Sequence, residues 1–170
     1  MEMGRDKQRE VLKYMLERIY WADKHKKQLD RRLKQLHARR QFQEGAEVPE
    51  DEPTSVKYWQ GDIGARILEQ KKEIDRAVTL VMDIIDYLPI NSVEREICEL
   101  RHIDLKPWGA VSAEIPMSRS QVYKRHRNAL KILLSNQRIQ SMTAEYEGEY
   151  DAYIQDRGPK TKVGGLIPGI

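Results

Sequence analysis

One cysteine and one phenylalanine in 170 residues set the first limits on this chain. A lone cysteine, Cys98, excludes an intramolecular disulfide framework and fits a reducing, intracellular compartment. The opening residues, MEMGRDKQRE, hold no apolar run of the kind a signal peptide needs, and no stretch approaches the length of a membrane span. The expected setting is therefore cytoplasmic, with no membrane partner. Also missing are a glycine-rich phosphate loop, a paired His/Cys ligand spacing and a Ser/His/Asp arrangement, so no catalytic site, cofactor or metal is expected. His25 and His37 share no helical face and have no cysteine nearby. Cys98 falls on the apolar side of an expected helix, where a small buried core residue is the simplest reading.

What the chain does have is charge. Asp, Glu, Lys and Arg make up 34% of it, yet the net charge is only +3, so the distribution carries the information rather than the sum. At this length and composition, one or two small helical units are expected rather than one thick core.

The expected fold class is all-α. Leu12, Met15, Ile19, Ala22, Lys26, Leu29, Leu33 and Leu36 recur at alternating three- and four-residue steps, which predicts one long helix over residues 5–42. Gly45, Pro49, Pro53 and a cluster of acids mark 43–58 as a flexible acidic loop. A second long helix over 59–88 presents Ile63, Ile67, Leu68, Ile74, Ala77, Val78, Val81, Ile84, Ile85 and Leu88. The simplest packing is an antiparallel, coiled-coil-like hairpin forming a domain over residues 1–88. A homo-oligomer through either long helix competes with it, and periodicity does not separate the two. The basic run from Lys24 to Arg40 reads first as the solvated exterior of that hairpin, with a second phosphate-contacting surface or a docking face for an acidic partner as the alternative.

A second domain is expected over 90–135. Ser92 is a good N-cap followed by Glu94 and Glu96, where the helix dipole favours acids. Val93, Ile97, Leu100 and Cys98 face inward. Pro107 then opens a short helix carrying Trp108, Val111, Ala113 and Ile115 as buried positions. Pro116-Met117 ends it, and Ser118 caps SRSQVYKRHRNALKILL, residues 118–134. Val122, Ala129, Leu130 and Leu133 give this last helix a narrow apolar face. Its other faces carry Arg119, Lys124, Arg125, Arg127 and Lys131 without one acid. Solvated surface helices usually mix both signs, and an acid-free basic helix suits a partner made of phosphates. Three helices, the last two joined by a few residues, make a helix-turn-helix. His126 is expected as a phosphate neighbour or a plain surface residue. Beyond it, residues 136–170 are read as a helical extension, with Ile139, Met142, Tyr146, Tyr150 and Tyr153 loosely periodic, and a flexible Gly/Pro-rich tail from Gln155. The end of that tail, Leu166–Ile170, is too apolar for an ordinary solubilising tail, which raises docking on a partner or on the chain's own helices.

Residues 92–134 resemble the fourth region of sigma-70 family factors, which reads the −35 promoter element. The resemblance runs through Glu94-Arg95-Glu96, Leu100-Arg101, Trp108, Val111, Ile115, Ser118-Arg119, Val122-Tyr123 and Ala129-Leu130. Placed behind a helical hairpin, the module is similar to the RinA/ArpU-type regulators of late transcription in phages of Gram-positive bacteria. Two departures stand out: Pro116 occupies the turn position that often holds glycine, and Arg125 stands where relatives often bury an aliphatic residue.

The resemblance implies a sequence-specific transcription regulator, phage- or prophage-encoded, with double-stranded DNA and RNA polymerase as partners in a bacterial cytoplasm. It places Arg119, Ser120, Tyr123 and Lys124 at base edges and Gln121, Arg127 and Lys131 on phosphates. Pro107 and Trp108 would touch the DNA backbone. Two other readings stand beside it. One is a small terminase-like DNA-packaging subunit; the other is a helix-turn-helix that serves protein docking without DNA.

Overall fold

A computed structural model describes the backbone over residues 3–43 and 55–166, and the side chains within 3–39 and 62–157. Among the described residues the secondary structure is entirely helical. In chain order the helices are α1 (Arg5–Leu16), α2 (Arg18–Gln43), α3 (Ser55–Ile85), α4 (Val93–Cys98), α5 (Trp108–Glu114), α6 (Arg119–Leu134) and α7 (Gln137–Leu166), with a π-helical turn over Glu99–Ile103 continuing α4. No helix among the described residues is long and apolar enough to cross a membrane. The chain divides into two compact units, one made of Met1–Glu17 with Val81–Ile170 and the other of Arg18–Leu80.

The helix expected over 5–42 is broken at Glu17, whose ψ of 1° leaves the helical basin and separates α1 from α2. The apolar seam runs through the break in phase, which is why periodicity does not reveal it. What α1 packs on is α7 and α6. It buries Val11, Leu12, Met15 and Leu16 completely. Its outer edge is tied to α7 by Lys7, which pairs with Glu147 at 2.8 Å and Asp151 at 3.2 Å. Tyr14 stacks against Tyr150 and Tyr153, with ring centroids 5.8 and 5.0 Å apart. Ile139, Met142 and Thr143 are buried on α7.

In the other unit, Leu29 of α2 packs with Ile63 and Ile67 of α3, and Leu33 and Leu36 lie against them. Gln70 donates to the Ala22 carbonyl at 3.1 Å and meets His25 at 3.0 Å. Several basic side chains of α2 are occupied along the helix: Lys27 pairs with Asp23 at 2.7 Å, Lys26 with Asp30 at 3.5 Å, and Lys24 lies over the Trp21 ring.

Further expectations need correction. α3 begins at Ser55, inside the segment read as acidic loop, and residues 44–54 of that loop lie outside the described residues. Leu68, assigned to the apolar face, is 58% exposed, because it sits one position past the Ile63–Ile67 stripe. α7 runs to Leu166, past the tail start expected at Gln155; nothing in the sequence around Gly158-Pro159 explains that continuation. The last four residues of the apolar terminus, 167–170, lie outside the described residues.

Within the 92–134 segment, Ser92 caps α4 by accepting from the Arg95 backbone N–H at 3.1 Å. The Arg95 side chain then donates to the Leu88 carbonyl, Asp86 and Glu99 at 3.2, 2.8 and 2.9 Å, which fixes where α4 leaves the end of α3. The π turn closes at Leu105, which takes a positive φ of 56°. Pro107 is the N-cap of α5 and its carbonyl accepts from Ala110 and Val111. The Pro116 turn needs no positive φ: Ile115 takes φ −95° and ψ 17°, and the Met117 N–H bonds back to the Ser112 carbonyl at 3.2 Å. Ile97, Leu100, Val111, Ile115 and Val122 form one core, with Val93, Trp108 and Met117 packed against it. Ala113, expected inside, is exposed because it lies opposite Val111 and Ile115 on the short α5.

Candidate nucleic-acid interface

α6 begins with a complete capping box. Ser118 Oγ accepts from the Gln121 backbone N–H at 3.3 Å, and Gln121 Oε1 accepts from the Ser118 backbone N–H at 3.2 Å. Two otherwise unpaired donors are satisfied this way, which defines the first turn that would face a ligand. The apolar stripe of Val122, Ala129, Leu130 and Leu133 is buried to 1% exposure or less, so the helix is seated along its length.

The seven residues expected to contact DNA, Arg119, Ser120, Gln121, Tyr123, Lys124, Arg127 and Lys131, are all exposed. Ser120, Lys124, Arg127 and Lys131 step by four, three and four residues and so form one stripe, about 17 Å long at 1.5 Å per residue. Arg119 and Tyr123 flank it. Among the described residues, none of Arg119, Lys124, Arg127 and Lys131 is paired with a carboxylate, whereas Arg125 is. The Gln121 oxygen is taken by the cap, leaving its amide N–H groups for outside acceptors. Arg119 folds over α5: a Cβ added at Gly109 would lie 2.7 Å from its Nη2, so glycine is what lets the guanidinium approach there.

Trp108 is half-buried. It meets Tyr123 and His126 edge-on at centroid distances of 5.0 Å each, and Arg101 stacks over it at 4.7 Å. The tryptophan therefore braces the exposed Tyr123 from behind. Arg101 is held in that position by a 3.0 Å bond to the Lys106 carbonyl.

Two features escaped the sequence. Glu94, read only as a first-turn acid, is 7% exposed and accepts from Arg125 at 3.1 Å and Asn128 at 3.0 Å. Burial alone would push its carboxyl pKa up, but the Asn128 bond, a bond from its own backbone N–H and the Arg125 charge outweigh that and lower it. This pair explains the placing of Arg125: the guanidinium stays half in water while it covers a buried carboxylate. Arg125→Ala is expected to lower stability by about 1–2 kcal/mol, because Glu94 loses a charge-assisted bond and keeps its burial. Urea denaturation of Arg125→Ala, Glu94→Gln and the double variant checks this; the double variant should lose less than the sum.

The second feature corrects the surface position expected for His126. It is 9% exposed and faces His102, 6% exposed, with Nε2 atoms 2.9 Å apart. Burial, then Lys13 and Arg101, lower the His126 pKa to about 4. Burial, then His126 and Arg101, hold His102 well below the usual histidine range. Cys98 Sγ completes the group: one ligand-type atom from each of Cys98, His102 and His126 lies within 4.8 Å of the others. Cys98 and His102 four residues apart were a readable signal, but the third member comes from α6. Burial, with Glu94 and Glu99, raises the Cys98 thiol to about 12. No family model, no curated protein and no solved structure matches the chain.

Proposed function

We propose that the chain is a sequence-specific DNA-binding transcription regulator. In this reading α4 to α6 act as a helix-turn-helix resembling the fourth region of sigma-70 factors, and α6 enters the major groove. The observation that carries it is the acid-free stripe of exposed side chains on a capped, fully seated helix. Arg119 and Lys124, on the first turns, reach base edges; Arg127 and Lys131 hold phosphates and set register. Ascending positions on α2 meet descending positions on α3 (Ala22 with Gln70, Leu29 with Ile67 and Ile63), which supports an antiparallel hairpin as the attached arm. A phage-type late regulator that also touches RNA polymerase follows from the resemblance.

Selection from random duplexes at two salt concentrations tests this. One enriched motif is expected, lost in an Arg119→Ala, Lys124→Ala variant, with each good bidentate contact contributing about 1–3 kcal/mol of discrimination. Lys131→Ala should instead weaken all sequences alike and reduce the salt slope by about one. Weak binding without a motif, unchanged in the double variant, would favour the packaging reading.

A further inference from the structure

We propose that Cys98, His102 and His126 form a buried binding site for a zinc-class transition-metal ion, joining the π turn after α4 to the middle of α6. The inference does not rest on the DNA reading. One thiol and two imidazoles, each less than a tenth exposed, converge from two separate helices with their ligand atoms within 4.8 Å of one another. These donors are the set that borderline-soft zinc prefers.

The nitrogen pair is already near coordination distance, and the thiol lies within side-chain reach of it. With zinc–nitrogen bonds of about 2.0–2.1 Å and a zinc–sulfur bond of about 2.3 Å, tetrahedral coordination puts the two nitrogens about 3.3 Å apart and the sulfur about 3.5 Å from each. The two Nε2 atoms stand at 2.9 Å, so the rings need to part by a few tenths of an ångström, while the Cys98 sulfur, within 4.8 Å of the imidazole donors, has to move in by up to about 1.3 Å. The fourth position is left to water.

The proton balance is simple. Between two neutral rings, one Nε2 donates and the other accepts. On binding, the donor ring moves its proton to Nδ1, freeing both Nε2 lone pairs with no net release. The thiol loses its proton to solvent, so one proton leaves per ion bound. A thiol raised by burial ionises here only because the metal replaces its proton. The π-helical turn is what makes the set: its wider winding lets His102 face α6 while Cys98, at its start, stays on the same side.

The test is a Co²⁺ titration of the full chain in thiol-free buffer. Cys98 is the chain's one cysteine, so a thiolate-to-cobalt charge-transfer band has a single possible source and needs no variant to assign it. The expected result is that band together with tetrahedral d–d absorption, saturating at one ion per chain, displaced by Zn²⁺ and accompanied by a rise in melting temperature. His126→Gln should weaken the d–d signal, while a His25→Ala, His37→Ala variant should keep it. Absence of the charge-transfer band at molar excess of Co²⁺ would overturn the site. So would binding abolished by the His25→Ala, His37→Ala variant, which would assign the ion to exposed histidines.

Discussion

Replacing Ile97 by alanine is expected to remove about 2–5 kcal/mol of stability, the range for a large aliphatic truncated in a closed core. Ile97 is 0% exposed and lies in the core shared with Leu100, Val111, Ile115 and Val122, so every helix of the 92–134 segment lines the resulting space. The six-residue helix and the π turn cannot readily collapse onto it, because Ser92 and Arg95 pin the start of α4, and the Ser118 capping box holds α6 beside them. The loss should thus fall toward the upper half of the range. Leu68→Ala provides the contrast: at 58% exposure it should change stability by no more than about 0.5 kcal/mol. Guanidinium denaturation of both variants at two protein concentrations reads the difference. A large, concentration-dependent loss for Leu68→Ala would show that a second chain covers that residue.

Acidification should unfold the same segment. His102 and His126 are buried and neutral in the folded chain, and their folded pKa values lie below the ordinary 6.5. The unfolded chain therefore binds more protons at acid pH. Stability from these groups is fully present above about pH 6.5 and falls as pH drops below it, until the folded pKa, about 4 for His126, is passed. For His126 alone the difference corresponds to on the order of 3 kcal/mol. His102 adds in the same direction. Glu94 adds to the loss only below about pH 4.5, the ordinary carboxyl value, since a carboxyl lowered by its partners loses their contribution as it protonates. Urea denaturation between pH 7.5 and pH 4.5, followed through Trp108 fluorescence in a Trp21→Phe, Trp59→Phe background, measures this. The buffer should contain EDTA so that no metal competes with protons. His126→Gln keeps a hydrogen-bonding partner for His102 but not the titration, so its stability should fall less steeply; an identical slope would remove the histidine pair as the cause.

The sequence was most legible where a feature is local. Ser118, the 3.6-residue recurrence of Val122, Ala129, Leu130 and Leu133, and the Ser92 cap all lie within a few residues of what they determine, and the all-helical class follows from such patterns. His126 shows where that reading fails. It lies four after Val122 and three before Ala129, squarely on the buried stripe, yet a basic neighbourhood suggested the surface. Its inward position depends on His102 and Trp108, which no local pattern supplies. Glu94 with Arg125 is the same case across 31 residues. The Glu17 break is harder still, because the seam stays in phase and what distinguishes α1 from α2 is its docking on α7, through Tyr14 against Tyr150 and Tyr153 and Lys7 against Glu147 and Asp151.

The docking of α1 on α7 bears on synthesis. Lys7 and Asp151 lie 144 residues apart, and contacts of such long separation form late. At about 5–20 residues per second, α1 waits several seconds on the ribosome before the helix that covers Val11, Leu12, Met15 and Leu16 emerges. Because α1 and α7 both pack on α6, the basic helix lacks part of its support until α7 has emerged. A product truncated before α7 would thus keep every residue of the α6 stripe and still hold it on an open core.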